Sequence, residues 1–369
     1  MKKIKHKNPI AMLLLICWMQ SLYSPGFAAD SYSPYAEESY PSNVYWGDTH
    51  LHSSLSADAY WQFNVKNLSP EQAYEFAKGE PVKVQNGMIA RLQRPLDFLV
   101  IADHARGMGT LPALESQDPI LLGSSDEMIE LSQKLRKALR NATSKYIETP
   151  GFSEVVAKMF VGSPKASAAF QYSTWHKVTA LADRYNDPGK FTALIGYEWT
   201  PYPSYPYRSY NASSPKKRDF SKGLGMHRVV IFKDDADKAN QIRPFSAFDS
   251  EEPEDLWAFL AGYERKTDGQ VIAIPHNGNL TQGTMFAIKD AEGKELSEAY
   301  VKTRMRWEPI VEVTQAKGDG ETHPVLSPSD EFADYETWNG WSQDSPDAFH
   351  KYEYARSALK LGLGEKARL

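Results

Sequence analysis

Short apolar runs that end in a histidine or an acid recur along this chain, and they constrain its fold more than any other feature. Pro95-Leu96-Asp97-Phe98-Leu99-Val100-Ile101-Ala102-Asp103-His104 is nearly continuous in apolar residues before it turns to charge. Phe191 to Trp199 reads the same way and carries Glu198 near its end. Val271-Ile272-Ala273-Ile274-Pro275 closes in His276-Asn277. Unbroken apolar runs of this length are strands buried on both faces. Further strands are expected over 44–52, Met226 to Phe232 and Glu308 to Thr314. Between them lie helical patterns. Ser69-Pro70-Glu71-Gln72 is a helix start, with serine as cap and proline in the first turn. Tyr172 to Tyr185, Pro253 to Tyr263 and Pro346 to Lys360 follow as helices. Strands alternating with helices predict an α/β fold with parallel strands. Residues 105–170 carry a helical pattern at Asp126 to Arg140 and read as a helical insertion into that fold.

The stretch Trp46-Gly47-Asp48-Thr49-His50-Leu51-His52-Ser53 gives the first chemistry. At period two, Asp48, His50 and His52 share one side of a strand. Two imidazoles there can grip one cation, although a single satisfied core histidine would give the same pattern. His104, Glu198 and His276 end other strands, and His227 sits at the start of one. Side chains gathered at strand ends are what an α/β barrel-type site is made from. Cysteine cannot contribute. The only one, Cys17, lies in an N-terminal stretch where Lys2, Lys3, Lys5 and Lys7 precede the apolar run Ala11 to Met19 and the small residues Gly26 and Ala28. That pattern reads as a secretory signal peptide over 1–29, with export to a periplasm and no membrane association after cleavage. Residues 30–43, rich in Ser, Tyr and Pro, read as a linker, and 44–369 as the folded domain. With disulfides and thiolates excluded, a metal must be held by His, Asp and Glu. The net charge of −5, with no basic stripe, argues against nucleic acid as partner and leaves a small-molecule substrate.

These motifs agree in order with a known family. Gly47-Asp48-Thr49-His50-Leu51-His52-Ser53-Ser54, then Asp58, Ile101-Ala102-Asp103-His104, Ile195-Gly196-Tyr197-Glu198, His227 and Pro275-His276-Asn277 resemble the polymerase and histidinol phosphatase (PHP) superfamily. Within it they are most similar to the branch called domain of unknown function 3604. The resemblance implies a distorted TIM-like (β/α)7 barrel holding two or three divalent ions of Zn, Mn or Fe. It implies metal ligation by His50, His52, Asp58, His104, Glu198, His227 and His276. The family closes with an Asp-x-His that does not occur after His276, so the barrel is expected to be incomplete at its C-terminus, or the centre to hold fewer ions.

Asp48 and Asp103 are expected behind the ligands, orienting imidazoles. Arg106 and Arg228 neighbour proposed ligands and are candidates for substrate contact, as is Trp199 beside Tyr202, Tyr205, Tyr207 and Tyr210. His176 falls mid-helix and reads as structural, and His323 lies in a polar loop. The expected function is a secreted metal-dependent hydrolase of phosphate mono- or diesters that uses a metal-activated water. The alternatives are an amidohydrolase-type enzyme and a non-catalytic periplasmic metal- or ligand-binding protein. No nucleotide-binding glycine loop or serine nucleophile elbow is present.

Overall fold

The computed structural model describes residues 43–61, 65–84, 86–140, 155, 166–201, 225–281, 283–289, 294–338 and 347–368. The expected signal peptide, all of the linker but Asn43, most of 141–165 and the tyrosine-rich loop from Tyr202 lie outside them. The chain divides into Met1–Tyr45 and Trp46–Leu369, and the second unit holds everything that follows.

Its centre is a curled, half-barrel sheet of five strands. In chain order these are β1 (Gly47–Leu51), β4 (Phe98–Ile101), β5 (Thr192–Trp199), β6 (Arg228–Phe232) and β7 (Val271–Pro275), and their order in space is the same. Between β1 and β4, β2 (Val82–Lys83) and β3 (Ile89–Ala90) form a separate small antiparallel ribbon. β1, β4 and β5 are parallel, as the apolar runs predict. β6 is not. It pairs antiparallel with both β5 and β7, correcting the all-parallel expectation. An apolar run records burial on both faces but carries no sign of its direction. The stretch Glu308 to Thr314 also departs from expectation, since it forms no strand of this sheet. A single bond from Glu312 N–H to Pro275 O, 3.0 Å, lays it beside the end of β7. Only Thr314–Gln315 (β8) pairs, with Gly318–Asp319 (β9), in a small hairpin. The final helical stretch is broken into Asp347–His350 and Ala355–Arg368.

Alternation along the strands sorts side chains between two cores. Leu99, Ile101, Ile195, Tyr197, Trp199, Val230, Phe232 and Ala273 pack in the large cluster beneath the helices Ala168–Tyr185 and Pro253–Thr267. Val100, Ala102, Val229, Ile231 and Ile274 form a smaller cluster on the other face. A third core lies within the helical insertion, where Leu111, Leu114, Met128, Leu131, Leu135 and Phe170 pack together. Ser69 caps the helix Pro70–Ala77 in a reciprocal capping box with Gln72, so that sequence signal has its expected structure. Among the described residues no helix is long and apolar enough to cross a membrane.

Candidate metal centre

The direction of β6 explains how a histidine at the start of one strand meets residues at the ends of the others. β1, β4, β5 and β7 share one direction, so their C-terminal ends lie at one edge of the sheet. β6 runs the opposite way and brings its first residues to that edge. His227 precedes Arg228 there, and its carbonyl accepts from His276 N–H at 3.3 Å. In β1 the register slips between Asp48 and Leu51, so that three steps along β1 match two along β4. Such an irregularity re-aims side chains. His50 and His52 lie with ring centroids 5.0 Å apart, and the His50 ring lies 4.1 Å from that of His276, tilted by 50°.

Everything converges on Glu198, whose side chain is 1% exposed. Oε2 lies 3.2 Å from His50 Nε2, 2.9 Å from His52 Nε2 and 3.2 Å from His104 Nδ1. Oε1 lies 2.8 Å from His227 Nδ1, 3.3 Å from His276 Nε2 and 3.0 Å from Thr200 Oγ1. Asp58 bridges the next pair, with Oδ1 at 3.2 Å from His52 Nδ1 and Oδ2 at 3.2 Å from His104 Nε2. Glu312 Oε2 sits 2.8 Å from His50 Nδ1. Two groups each bring three ligand atoms within 4.8 Å of one another: His50, Glu198 and His276, and His52, Asp58 and His104. These clusters could hold metal ions.

The electrostatics follow from the crowding. Burial alone would raise the carboxyl of Glu198, yet the charges of His104, His227 and His276 hold it well below the usual range. Asp58 is likewise well below its usual value despite burial, because of His104 and His52. Burial opposes protonation of His52, but Asp58 and Glu198 push its pKa well above the ordinary value. Burial also works against protonation of His50, and Glu198 and Glu312 overcome it. His276 is buried beside the charge of His50 and falls to about 3. Burial makes His227 a weaker base as well.

All seven candidate ligands are brought together here. The supporting residues are placed differently. Asp48 is exposed, and its carboxylate accepts from the backbone N–H of His50 at 2.7 Å, touching no imidazole. Asp103 accepts from Ser53 N and Oγ at 2.7 and 2.6 Å, tying the end of β4 to the turn after His52. Trp199 is fully buried in the large core, with Nε1 donating to Ser250 O. Arg228 faces the same side, ion-paired to Glu308 at 2.9 Å. Neither faces the cluster, because each is one residue from a ligand on a strand and so points to the opposite face. Arg106 is buried, over the ring of Phe248 at 4.7 Å and 3.8 Å from Glu251. His176 is exposed on its helix. His323 packs with His350, centroids 4.3 Å apart, in a separate group with Tyr354.

Two residues of the cluster are additional to the sequence-based set. Thr200 lies two places after Glu198, on the same face, and its hydroxyl also meets His104 Nδ1 at 2.5 Å. That period-two spacing was the available signal. Glu312 has no strand around it to announce its direction.

A family model described as "Protein of unknown function (DUF3604)" matches residues 39–369. The chain belongs to the DUF3604 family. The match spans the whole sheet and every candidate ligand of this DUF3604 member. No curated protein and no solved structure matches the chain.

Proposed function

We propose that this DUF3604 protein is a metal-dependent hydrolase of phosphate mono- or diesters, built on a PHP-type barrel. One observation carries the reading. Six side-chain atoms, five of them imidazole nitrogens, lie within 3.3 Å of the Glu198 carboxylate. A carboxylate has only about four lone-pair sites. His50 and His52 also face carboxylate oxygens at both ring nitrogens, and a neutral imidazole has one proton to give. Divalent cations between these groups would satisfy them without the extra protons. The donor set of imidazole and carboxylate suits Zn, Mn or Fe.

Glu198 would be shared between the two clusters. His50 and His276 belong to one, and His52, Asp58 and His104 to the other. Glu312 accepting from His50 Nδ1 fixes the tautomer that leaves Nε2 free to ligate. The Asp103 bonds to Ser53 hold the turn that carries His52. When bound, the cations would bring a water toward a pKa of about 7 and offset charge developing at phosphorus. Secretion to the periplasm, from the basic-then-apolar start of the chain, is part of the same reading.

The test is metal analysis of the purified protein together with turnover of phosphomonoesters and phosphodiesters. His50→Ala and Glu198→Gln are each expected to lose both metal and turnover. Stoichiometric metal with no turnover of any phosphoester overturns the hydrolase reading. Turnover that survives both substitutions places the active site elsewhere.

A further inference from the structure

Thr200 brings an uncharged hydroxyl among the imidazoles and carboxylates of the cluster, and it is as deeply buried as Glu198. Glu198, Trp199 and Thr200 alternate, so Glu198 and Thr200 share a face while Trp199 enters the large core. The main chain around them is zipped to the end of β4. Glu198 N–H donates to Asp103 O at 3.0 Å, and Ala105 N–H donates to Glu198 O at 2.9 Å. His104 N–H donates to Ser56 Oγ at 2.9 Å, and Ser56 is fully buried. The backbone of His104 is therefore held from both sides, and what remains to be set is its ring. Thr200 meets that ring.

The single proton of the hydroxyl has a fixed destination. Thr200 Oγ1 donates to Glu198 Oε1 at 3.0 Å, because a carboxylate can only accept. Its lone pairs then face His104 Nδ1 at 2.5 Å, and that contact is a hydrogen bond only if the ring donates. His104 Nδ1 therefore carries the proton, with Glu198 Oε2 as a second acceptor at 3.2 Å. The other nitrogen, Nε2, brings a lone pair to Asp58 Oδ2, 3.2 Å away. Two acceptors at that distance call for a cation or a further proton between them. Threonine is β-branched and stiff at χ1, which keeps the hydroxyl aimed at both partners.

We propose that Thr200 is a positioning residue: its hydroxyl, bonded between His104 Nδ1–H and Glu198, makes His104 present Nε2 to a cation held with His52 and Asp58. The assignment rests on the metal reading above and deepens it by naming the ligating nitrogen. It also sets the two groups of ligands apart. At His50 a carboxylate, Glu312, takes the Nδ1 proton, whereas at His104 a neutral hydroxyl does so. Removing that hydroxyl should weaken the group that contains His104 more than the group that contains His50.

The experiment is zinc titration of metal-stripped wild type, Thr200→Val and Thr200→Ser, read by calorimetry and by NMR of isotope-labelled histidine ring nitrogens. Valine keeps the shape and loses the hydroxyl, and serine keeps the hydroxyl. In wild type, His104 should show a protonated Nδ1 before zinc is added and a zinc-bound Nε2 afterwards. Thr200→Val should lose that preference and bind one zinc equivalent about 10- to 100-fold more weakly, with a smaller change in the other. Thr200→Ser should recover most of the lost affinity. Zinc bound through His104 Nδ1 overturns the assignment, and this wild-type measurement stands even where a variant does not fold. A Thr200→Val protein that melts earlier but keeps its tautomer, and keeps both zinc affinities within about twofold, overturns it too, because a merely structural hydroxyl gives that result. Wild type that takes up no zinc removes the metal reading. The His104 tautomer then decides for Thr200 by itself: a proton on Nε2 alone overturns the relay, and an Nδ1 proton lost in Thr200→Val upholds it.

Discussion

At the scale of single residues, alternation along a strand separates ligands from core. His227 and Arg228 are neighbours, yet one meets Glu198 and the other pairs with Glu308 on the opposite face. Glu198 and Trp199 divide in the same way. Adjacency to a ligand made Arg228 and Trp199 look like substrate contacts, whereas period two assigns them to the core. That part of the site was legible in the sequence and needed only the stricter rule. Glu312 was not legible. Ile310, Val311 and Val313 around it imitate a strand, and nothing local shows that its carboxylate reaches a histidine 262 positions earlier. Its Oε1 is buried and makes no hydrogen bond. Glu312→Gln is expected to lower metal affinity about 10- to 100-fold while leaving the fold intact, because it loosens the orientation of His50. Competition against a chelating dye measures this, and an unchanged affinity would show that Glu312 does not support the centre.

At the scale of elements, the buried pair between Arg228 of β6 and Glu308, at the end of the helix Glu298–Trp307, ties the reversed strand to its cover. Glu308 also accepts from Trp257 Nε1 at 2.9 Å and from Arg304 at 3.0 Å. Burial would raise its pKa, but Arg228 and Arg304 bring it below the ordinary 4.5. A depressed carboxyl contributes stability above its unfolded pKa and loses it as pH falls through the folded value. Glu308→Gln leaves Arg228 buried against a neutral partner and should cost about 3–5 kcal/mol at neutral pH. The gap between wild type and variant should narrow as pH drops below about 4.5. Urea unfolding at a series of pH values gives that gap directly, and a gap independent of pH would count against the pair. Apolar runs and caps placed the five strands and the helix at Pro70–Ala77 well. The direction of β6 escaped because it depends on the chain between strands, which a run of apolar residues does not encode.

At the scale of the whole molecule, the proposed cations would be a structural bond as well as a chemical tool. Their candidate ligands come from β1, the turn and the short helix Ala57–Trp61 after it, and the ends of β4, β5, β6 and β7. A ligand that binds only the folded form adds about 2.7 kcal/mol when present at a hundred times its Kd. Chelation should therefore lower the melting temperature by about 5 °C or more. Adding Mn or Zn back should restore it, and the shift should vanish in Glu198→Gln. A melting curve indifferent to chelator would argue that the clusters hold no ion.

The reversed strand has a consequence for synthesis. Glu198 is translated before two of the imidazoles that surround it, His227 and His276, and well before Glu312, which props His50. A ribosome must pass all three codons before the centre can close. Any cation would therefore be taken up only after synthesis has passed Glu312, and a nascent fragment that ends before β7 lacks His276 and Glu312.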